Sequence, residues 1–276
     1  MKIHCNHYKL TDNQTFVILD NKTRSLGDAV RLVILQAGAL AKDYFQNQAN
    51  LAVSLKNPKD LVTEADIRVE NFIRDQLTSL YPQYGFWGEE SGKPDNLDQF
   101  WVVDPIDGTH SFYRGQYFWS ISIALQIGSD ITVGAVYAPA LDDLYFSEKD
   151  GGSTKNGKPI RVSQTNNLAE AMVCTGFACL RSNLKNNNLE RFSRIALKTR
   201  DQRRYGSAAL DLCMVADGQL DAFWEQNLNL YDVAAGALIA KEAGASVSDF
   251  SGREGMFPEN ILVTNGRIKD RMVELM

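Results

Sequence analysis

Apolar residues at Ala29, Leu32, Val33, Ala37 and Leu40 recur at helical spacing and predict an amphipathic helix over residues 26–45. After the break Asn57-Pro58-Lys59 a second helical run begins. Thr63 is its expected N-cap, Ala65, Ile67, Val69, Phe72, Ile73 and Leu77 carry its apolar periodicity, and Tyr81-Pro82 closes it. Then the period changes. Residues 85–88 and 100–103 are short apolar runs that read as buried strands. They stop at Glu89-Glu90-Ser91 and at Asp104-Pro105, so carboxylates are expected together at one sheet edge. Residues 121–127 and 131–137 predict a hairpin turning at Gly128-Ser129-Asp130, and 144–147 and 160–162 predict further strands around turns at Gly151-Gly152 and Asn156-Gly157. The last third alternates: strand 171–175, helices 189–197 and 207–216, strand 220–224, helix 232–242 and strand 261–263. The expected organisation is a polar extension over 1–25, with a turn at Thr11 to Gln14, and one domain over 26–276. Its half at about 26–165 reads as α+β and its half at about 166–276 as α/β.

A hydrophobic content of 44% supplies a sizeable core, and a formal net charge of −5 argues against a nucleic-acid partner. Cys5, Cys174, Cys179 and Cys213 form no CxxC pair and read as free thiols of a reducing compartment. The opening residues, with His4, Asn6, His7 and Lys9, do not resemble a secretory signal, and no apolar run reaches the ~20 residues that span a bilayer. A cytoplasmic protein without a membrane partner is the expectation. His4, His7 and His110 are too few and too scattered for a zinc site, and no GxSxG elbow, GxGxxG turn or P-loop is present. What remains abundant near turns is carboxylate.

The run Asp104-Pro105-Ile106-Asp107-Gly108-Thr109 carries the strongest signal. Pro105 stiffens a strand exit, so that two carboxylates and the Ile106 carbonyl converge on one volume. Hard oxygen donors of this kind suit Mg²⁺. Gly108 would let the backbone approach an anion, and Thr109 would cap a helix whose N–H groups bind phosphate. The same residues also read as an acidic turn with a helix cap. Asp66 in the first turn of a helix, Glu89 at a strand end and Asp232 at a helix start are each explicable singly as caps or solvated turns.

In order along the chain, DLVTEAD at Asp60 to Asp66, GEES at Gly88 to Ser91, DPIDGT at Asp104 to Thr109 and YDVAAG at Tyr231 to Gly236 resemble the inositol monophosphatase family of metal-dependent sugar phosphatases. The resemblance runs from about Leu26 to the C-terminus and implies an αβαβα layered sandwich of mixed α+β and α/β character. It implies that Glu89, Asp104, the Ile106 carbonyl, Asp107 and Asp232 hold two to three Mg²⁺ ions. Asp66 and Thr109, with Glu89, would act on the attacking water, which displaces the alcohol in line without a phosphoenzyme. The substrate would meet Ile106, Asp107, Gly108, Thr109 and Asp232 at its phosphate end, and Gly206, Ser207, Ala208, Glu225 and Arg203 at its polyol end. For Glu225 an exposed loop carboxylate stands as the alternative, and for Arg203 a solvated turn or subunit contact. The implied substrate is myo-inositol monophosphate. Histidinol phosphate, fructose 1,6-bisphosphate and 3′(2′),5′-bisphosphate nucleotides are alternatives, and a non-catalytic RNA- or polymerase-binding scaffold is a reading of another class. Lithium sensitivity and a homodimer are implied as well. Two positions depart from the family pattern: His110 follows Thr109, as a phosphate-side ligand or a helix-surface histidine, and Tyr231 replaces the more usual Trp.

Overall fold

The computed structural model describes residues 25–47, 52–57, 60–93 and 98–276, and the side chains of all these except 55–57, 60 and 61. Most of the N-terminal extension, with its expected turn, and the Pro58-Lys59 break lie outside the described residues. The first periodic run forms α1 (Leu26–Gln46), capped by the Ser25 hydroxyl, which accepts the Asp28 N–H at 3.2 Å. Next come two short antiparallel strands, β1 (Val53–Asn57) and β2 (Asp60–Thr63), where the sequence reading had only a break. The second run forms α2 (Glu64–Leu80) behind Thr63, as expected.

β3 (Gly85–Gly88) lies parallel to β4 (Gln99–Asp107), which leads through the short α3 (Thr109–Tyr113) to β5 (Ser120–Ile127). β6 (Asp130–Ala138), β7 (Asp143–Glu148), β8 (Ser153–Lys155) and β9 (Lys158–Pro159) add on antiparallel, giving seven strands in sequence order. The remaining elements are β10 (Met172–Thr175), α4 (Ala178–Arg181), α5 (Leu189–Ala196), β11 (Asp201–Arg203), α6 (Ala208–Ala216), β12 (Ala222–Gln226), α7 (Leu230–Glu242), β13 (Ser246–Asp249), β14 (Asn260–Thr264) and α8 (Lys269–Val273). Their five strands run β11-β10-β12-β14-β13, a parallel trio flanked by an antiparallel pair.

Side-chain alternation turns these sheets into layers. From β4, Trp101 and Val103 pack with Val33, Ile34, Val69 and Ile73 of α1 and α2. Phe100 and Val102 of the same strand point the other way, into a cluster with Ala209, Leu212, Ala234 and Ala235 of α6 and α7. That cluster reaches Phe223, Ile261 and Val263 on one face of the second sheet. The opposite face, with Val173, Trp224 and Leu262, is covered by Ile195 of α5 and Met272 of α8. The order is therefore α, β, α, β, α, as the sequence implied. No helix among the described residues is long and apolar enough to cross a membrane.

Three local expectations fail for physical reasons. β4 does not stop at Asp104; it runs to Asp107 through a bulge, since Asp104 pairs with Ser122 and Asp107 with Ser120. Three steps on one strand face two on its neighbour, and the extra residue accommodates Pro105, which has no N–H for a ladder. Residues 160–162 form no strand, because the Ile160 N–H donates to Ser153 O and the Val162 N–H to Ala243 O, two unrelated partners. The strand expected at 220–224 is displaced to Ala222–Gln226, a shift that brings Glu225 into the sheet.

The two central layers touch closely where Gly134 of β6 meets α7. A Cβ there would lie 2.9 Å from Ala235 O and 3.1 Å from Ala235 Cα, both backbone atoms. Gly134→Ala is expected to lower stability by about 1–3 kcal/mol through overpacking. A urea melt checks it: the midpoint should fall with the slope unchanged.

Candidate active site

The β4 bulge has a chemical consequence. In a regular strand, residues three apart face opposite sides; the inserted residue returns Asp104 and Asp107 to the same side. There they meet Asp232 from α7, and one carboxylate oxygen of each lies within 4.8 Å of the others. Hydrogen bonds engage one oxygen of each acid. Asp104 Oδ1 accepts the Ile106 N–H at 3.0 Å. Asp107 Oδ2 accepts the Ser207 hydroxyl and the Ala209 N–H, both at 2.7 Å, and so ties β4 to the start of α6. Asp232 Oδ2 accepts the Asn229 N–H at 2.6 Å. Asp232 is thus the third residue of α7, reaching back to its N-cap Asn229, and not the helix-opening cap the sequence suggested.

Asp66 repeats this arrangement on α2. Its Oδ2 accepts the Thr63 N–H at 2.9 Å and the Thr63 hydroxyl at 2.5 Å. Its Oδ1 lies 3.3 Å from Thr109 Oγ1, which is also 3.1 Å from the Ile106 carbonyl. One hydroxyl hydrogen cannot serve both acceptors at once, so the Thr109 hydroxyl has two alternative orientations. Thr109 is the first residue of α3 and not its cap. Gly108 caps it at φ 93°, packed so that a Cβ would lie 3.0 Å from Phe118 O and 3.2 Å from Gly206 O. Glu89 follows β3, half-buried, its N–H donating to Val103 O at 3.1 Å. It stands outside the 4.8 Å cluster, yet its charge bears on Asp66, Asp104, Asp107 and Asp232 alike.

Electrostatics follow from this crowding. Burial pushes Asp66 up to about 7 against the two hydrogen bonds from Thr63. Asp107 rises to about 6, again by burial, opposed by Ser207 and Ala209. Burial, and then neighbouring carboxylates, raise Asp104 and Asp232 well above the usual range. Oxygen donors that repel one another and include neither His nor Cys fit a hard divalent cation such as Mg²⁺.

The family profile of the inositol monophosphatases matches residues 23–275. The chain belongs to the inositol monophosphatase family. This is a metal-dependent family of phosphoric monoester hydrolases. An inositol-1-monophosphatase of Mesorhizobium japonicum is 38% identical over 240 residues, 86% of this chain and 90% of its own. A fructose-1,6-bisphosphatase/inositol-1-monophosphatase of Thermotoga maritima is 37% identical over 218 residues, 79% of this chain and 82% of its own. Among solved structures, the extragenic suppressor protein suhB of Bartonella henselae superposes with a TM-score of 0.84 at 34% identity, covering 90% of this chain and 96% of that one.

The family's DPIDGT, YDVAAG and DLVTEAD segments therefore converge through β4, α7 and α2. The second sheet brings Glu225. It is no exposed loop carboxylate: it sits on β12, 5% exposed, its Oε1 accepting the Ala178 N–H at 2.8 Å. Burial raises it to about 7, against that hydrogen bond and the charge of Arg181. Ser207 is fully buried, its hydroxyl committed to Asp107, between Gly206 and Ala208. Arg203 is exposed on β11, where its guanidinium pairs with Asp201 at 2.6 Å. Its neighbour Arg204 instead occupies the space where a side chain on Gly206 would begin. His110 is exposed on α3, and Tyr231 packs edge-on to Trp87, rings 6.4 Å apart. Sequence reasoning passed over Arg181 and gave no role to the buried Asp211, whose carboxyl burial holds well above its usual range. Only the helical offset of Asp211 from Ser207, four residues, could have drawn attention to it.

Each raised acid has a folded pKa above its unfolded one. Between about pH 4 and 7 the folded chain therefore holds more protons than the unfolded chain, and stability falls as the pH rises through that window. Metal-free protein is expected to melt several degrees lower at about pH 8 than at about pH 5.5, and Asp104→Asn should flatten this dependence. Melting curves of chelator-treated protein check it; a melting temperature that rises over that interval contradicts it.

Proposed function

We propose that the chain is a Mg²⁺-dependent phosphatase that hydrolyses myo-inositol monophosphate to inositol and phosphate, its domain spanning residues 26–276. The observation that carries this is the convergence of Asp104, Asp107 and Asp232 within 4.8 Å, beside the Asp66–Thr109 pair. Glu89, Asp104, the Ile106 carbonyl, Asp107 and Asp232 would hold two to three Mg²⁺ ions. When bound, the ions supply positive charge that neutralises the phosphate and the departing alkoxide and makes water easier to deprotonate.

The chain's own residues do the remaining work. The Thr109 hydroxyl accepts from the attacking water and turns its hydrogen to Asp66 Oδ1, 3.3 Å away. Asp66, raised to about 7, has a proton affinity matched to receiving that proton near neutrality. Gly108 and Thr109 N–H groups, with Ile106, Asp107 and Asp232 alongside, would hold the phosphate for in-line attack. No side chain is required as a nucleophile. Glu225 would meet the polyol hydroxyls beside the backbone of Gly206, Ser207 and Ala208, with Arg204 taking the place first given to Arg203.

Hydrolysis of fructose 1,6-bisphosphate is the second reading, favoured by the name of the Thermotoga relative and by Arg181, whose charge acts on Glu225 and Asp107. A non-catalytic scaffold is disfavoured by the intact acidic set. Lithium sensitivity, a homodimer and a cytoplasmic location belong to the same proposal; Cys174, Cys179 and Cys213, free and buried, accord with a reducing compartment.

Parallel assays on myo-inositol 1-phosphate, fructose 1,6-bisphosphate, histidinol phosphate and a 3′,5′-bisphosphate nucleotide, with and without Mg²⁺, test the substrate. The inositol ester should turn over fastest, and only with metal. Asp104→Asn should lose at least about a hundredfold in kcat, since even outer partners of metal ligands are worth 10–100-fold. Undiminished turnover in that variant sinks the metal assignment.

A further inference from the structure

Helix α2 carries a second acid on the face that carries Asp66. Glu70 lies one turn further on, 1% exposed. Its Oε1 is 2.8 Å from Arg74 Nη2, and its Oε2 accepts the Glu90 N–H at 2.8 Å. The carboxyl group rests against β3: a Cβ on Gly88 would lie 2.3 Å from Glu70 Cδ, so no larger residue fits there without displacing it. The segment after β3 is thus fastened at three points. The Gly92 N–H donates to Gly88 O at 3.0 Å, the Glu89 N–H to Val103 O at 3.1 Å, and the Glu90 N–H to Glu70.

We infer that Glu70 is a positioning residue which, by accepting the Glu90 N–H, fixes the backbone of Glu89 and aims its carboxylate at the Asp104 cluster. The inference rests on the reading of Glu89 as a metal ligand. Glu70 reaches neither the cluster nor a substrate; it acts through the turn. Arg74 makes this arrangement tenable. Its guanidinium, 2.8 Å from Oε1, gives the buried carboxylate a charged partner and leaves Oε2 turned to the Glu90 N–H. Arg74 is held in turn by Asn71 Oδ1 at 2.9 Å and by the face of Phe86, 5.1 Å from its ring centre. One helix then sets two catalytic distances, Asp66 to Thr109 and, through Glu70, Glu89 to Asp104.

Two substitutions separate reach from charge. Glu70→Asp keeps the charge for Arg74 but draws the carboxylate back by one methylene, whereas Glu70→Gln keeps an acceptor oxygen at the original reach. Calorimetric titration of the full chain with Mn²⁺ should show Glu70→Asp binding about 10-fold or more weaker and Glu70→Gln within about threefold of the parent, the range expected for outer partners of metal ligands. In Glu70→Asp the Mg²⁺ concentration for half-activation should rise by the same factor, while kcat and the substrate KM recover at saturating Mg²⁺. Should that variant not fold, Glu70→Met against Glu70→Gln gives the same contrast. Parental Mn²⁺ affinity in Glu70→Asp, or a Glu70→Gln as weak as it, overturns the inference and leaves the phosphatase reading standing. A parent that binds no Mn²⁺ overturns both.

Discussion

Holding Asp104 and Asp107, both buried, and the half-buried Asp232 within 4.8 Å of one another is the constraint around which the molecule is organised. At an effective dielectric of about 20, two unit charges about 5 Å apart repel by about 3 kcal/mol. Three such pairs approach about 10 kcal/mol, the size of a whole domain's net stability. The folded chain therefore cannot hold the cluster fully ionised and empty. Protons or cations must enter it. Protons answer in part, as the raised Asp104, Asp107 and Asp232 show. Divalent cations answer more completely, because they also bind the phosphate such a site would attract.

Holding repelling groups in place requires anchors, and the anchors come from the backbone. Each of these acids has one oxygen tied to an N–H of its own or a neighbouring element, which leaves the other to face the centre. Asp66 and Asp232 use the same device, a capping interaction in the first turn of a helix. A cap is ordinarily a stability feature worth about 1 kcal/mol. Here it doubles as an aiming device, since the bond that satisfies a free helix N–H also removes the carboxylate's freedom to turn away. The layers set the remaining distances. β4 lies between the α1–α2 pair and the α6–α7 pair, so residues at its C-terminal end are met from both sides.

The two sheets contribute different parts of the proposed site. The acidic cluster belongs to the first sheet and the helices packed on it. Glu225, with Arg181 on the short helix that Glu225 caps, belongs to the second. The two meet where Asp107 accepts from Ser207 and Ala209. A shift there would move the groups expected to meet the polyol relative to the phosphate end.

Much of this was legible in order of residues. Helix periodicity placed α1 and α2 within a residue or so, and four short motifs were enough to indicate the family and its five layers. Less regular features escaped. The hairpin of β1 and β2 hid behind a Pro-Lys break, and β4 was cut short because Pro105 ordinarily ends a strand. Arg203 and Arg204 are adjacent and chemically alike, so only the structure shows that the first pairs with Asp201 while the second lies against Gly206. Glu70 drew no attention and Glu225 only through the family resemblance, because nothing local marks a carboxylate whose partner is twenty or forty-seven residues away.

The sequence by itself determined which groups are available: hard oxygen donors without competing His or Cys, placed at element ends where backbone N–H groups are free to orient them. Those properties are local, carried by residue type and by spacings of a few positions. Only the tertiary structure decided which carboxylates converge. A bulge restored Asp104 and Asp107 to one side, and the stacking of five layers brought Asp66 and Asp232 to the same strand end. Convergence depends on distances between segments far apart in the chain, and those are set by packing and register.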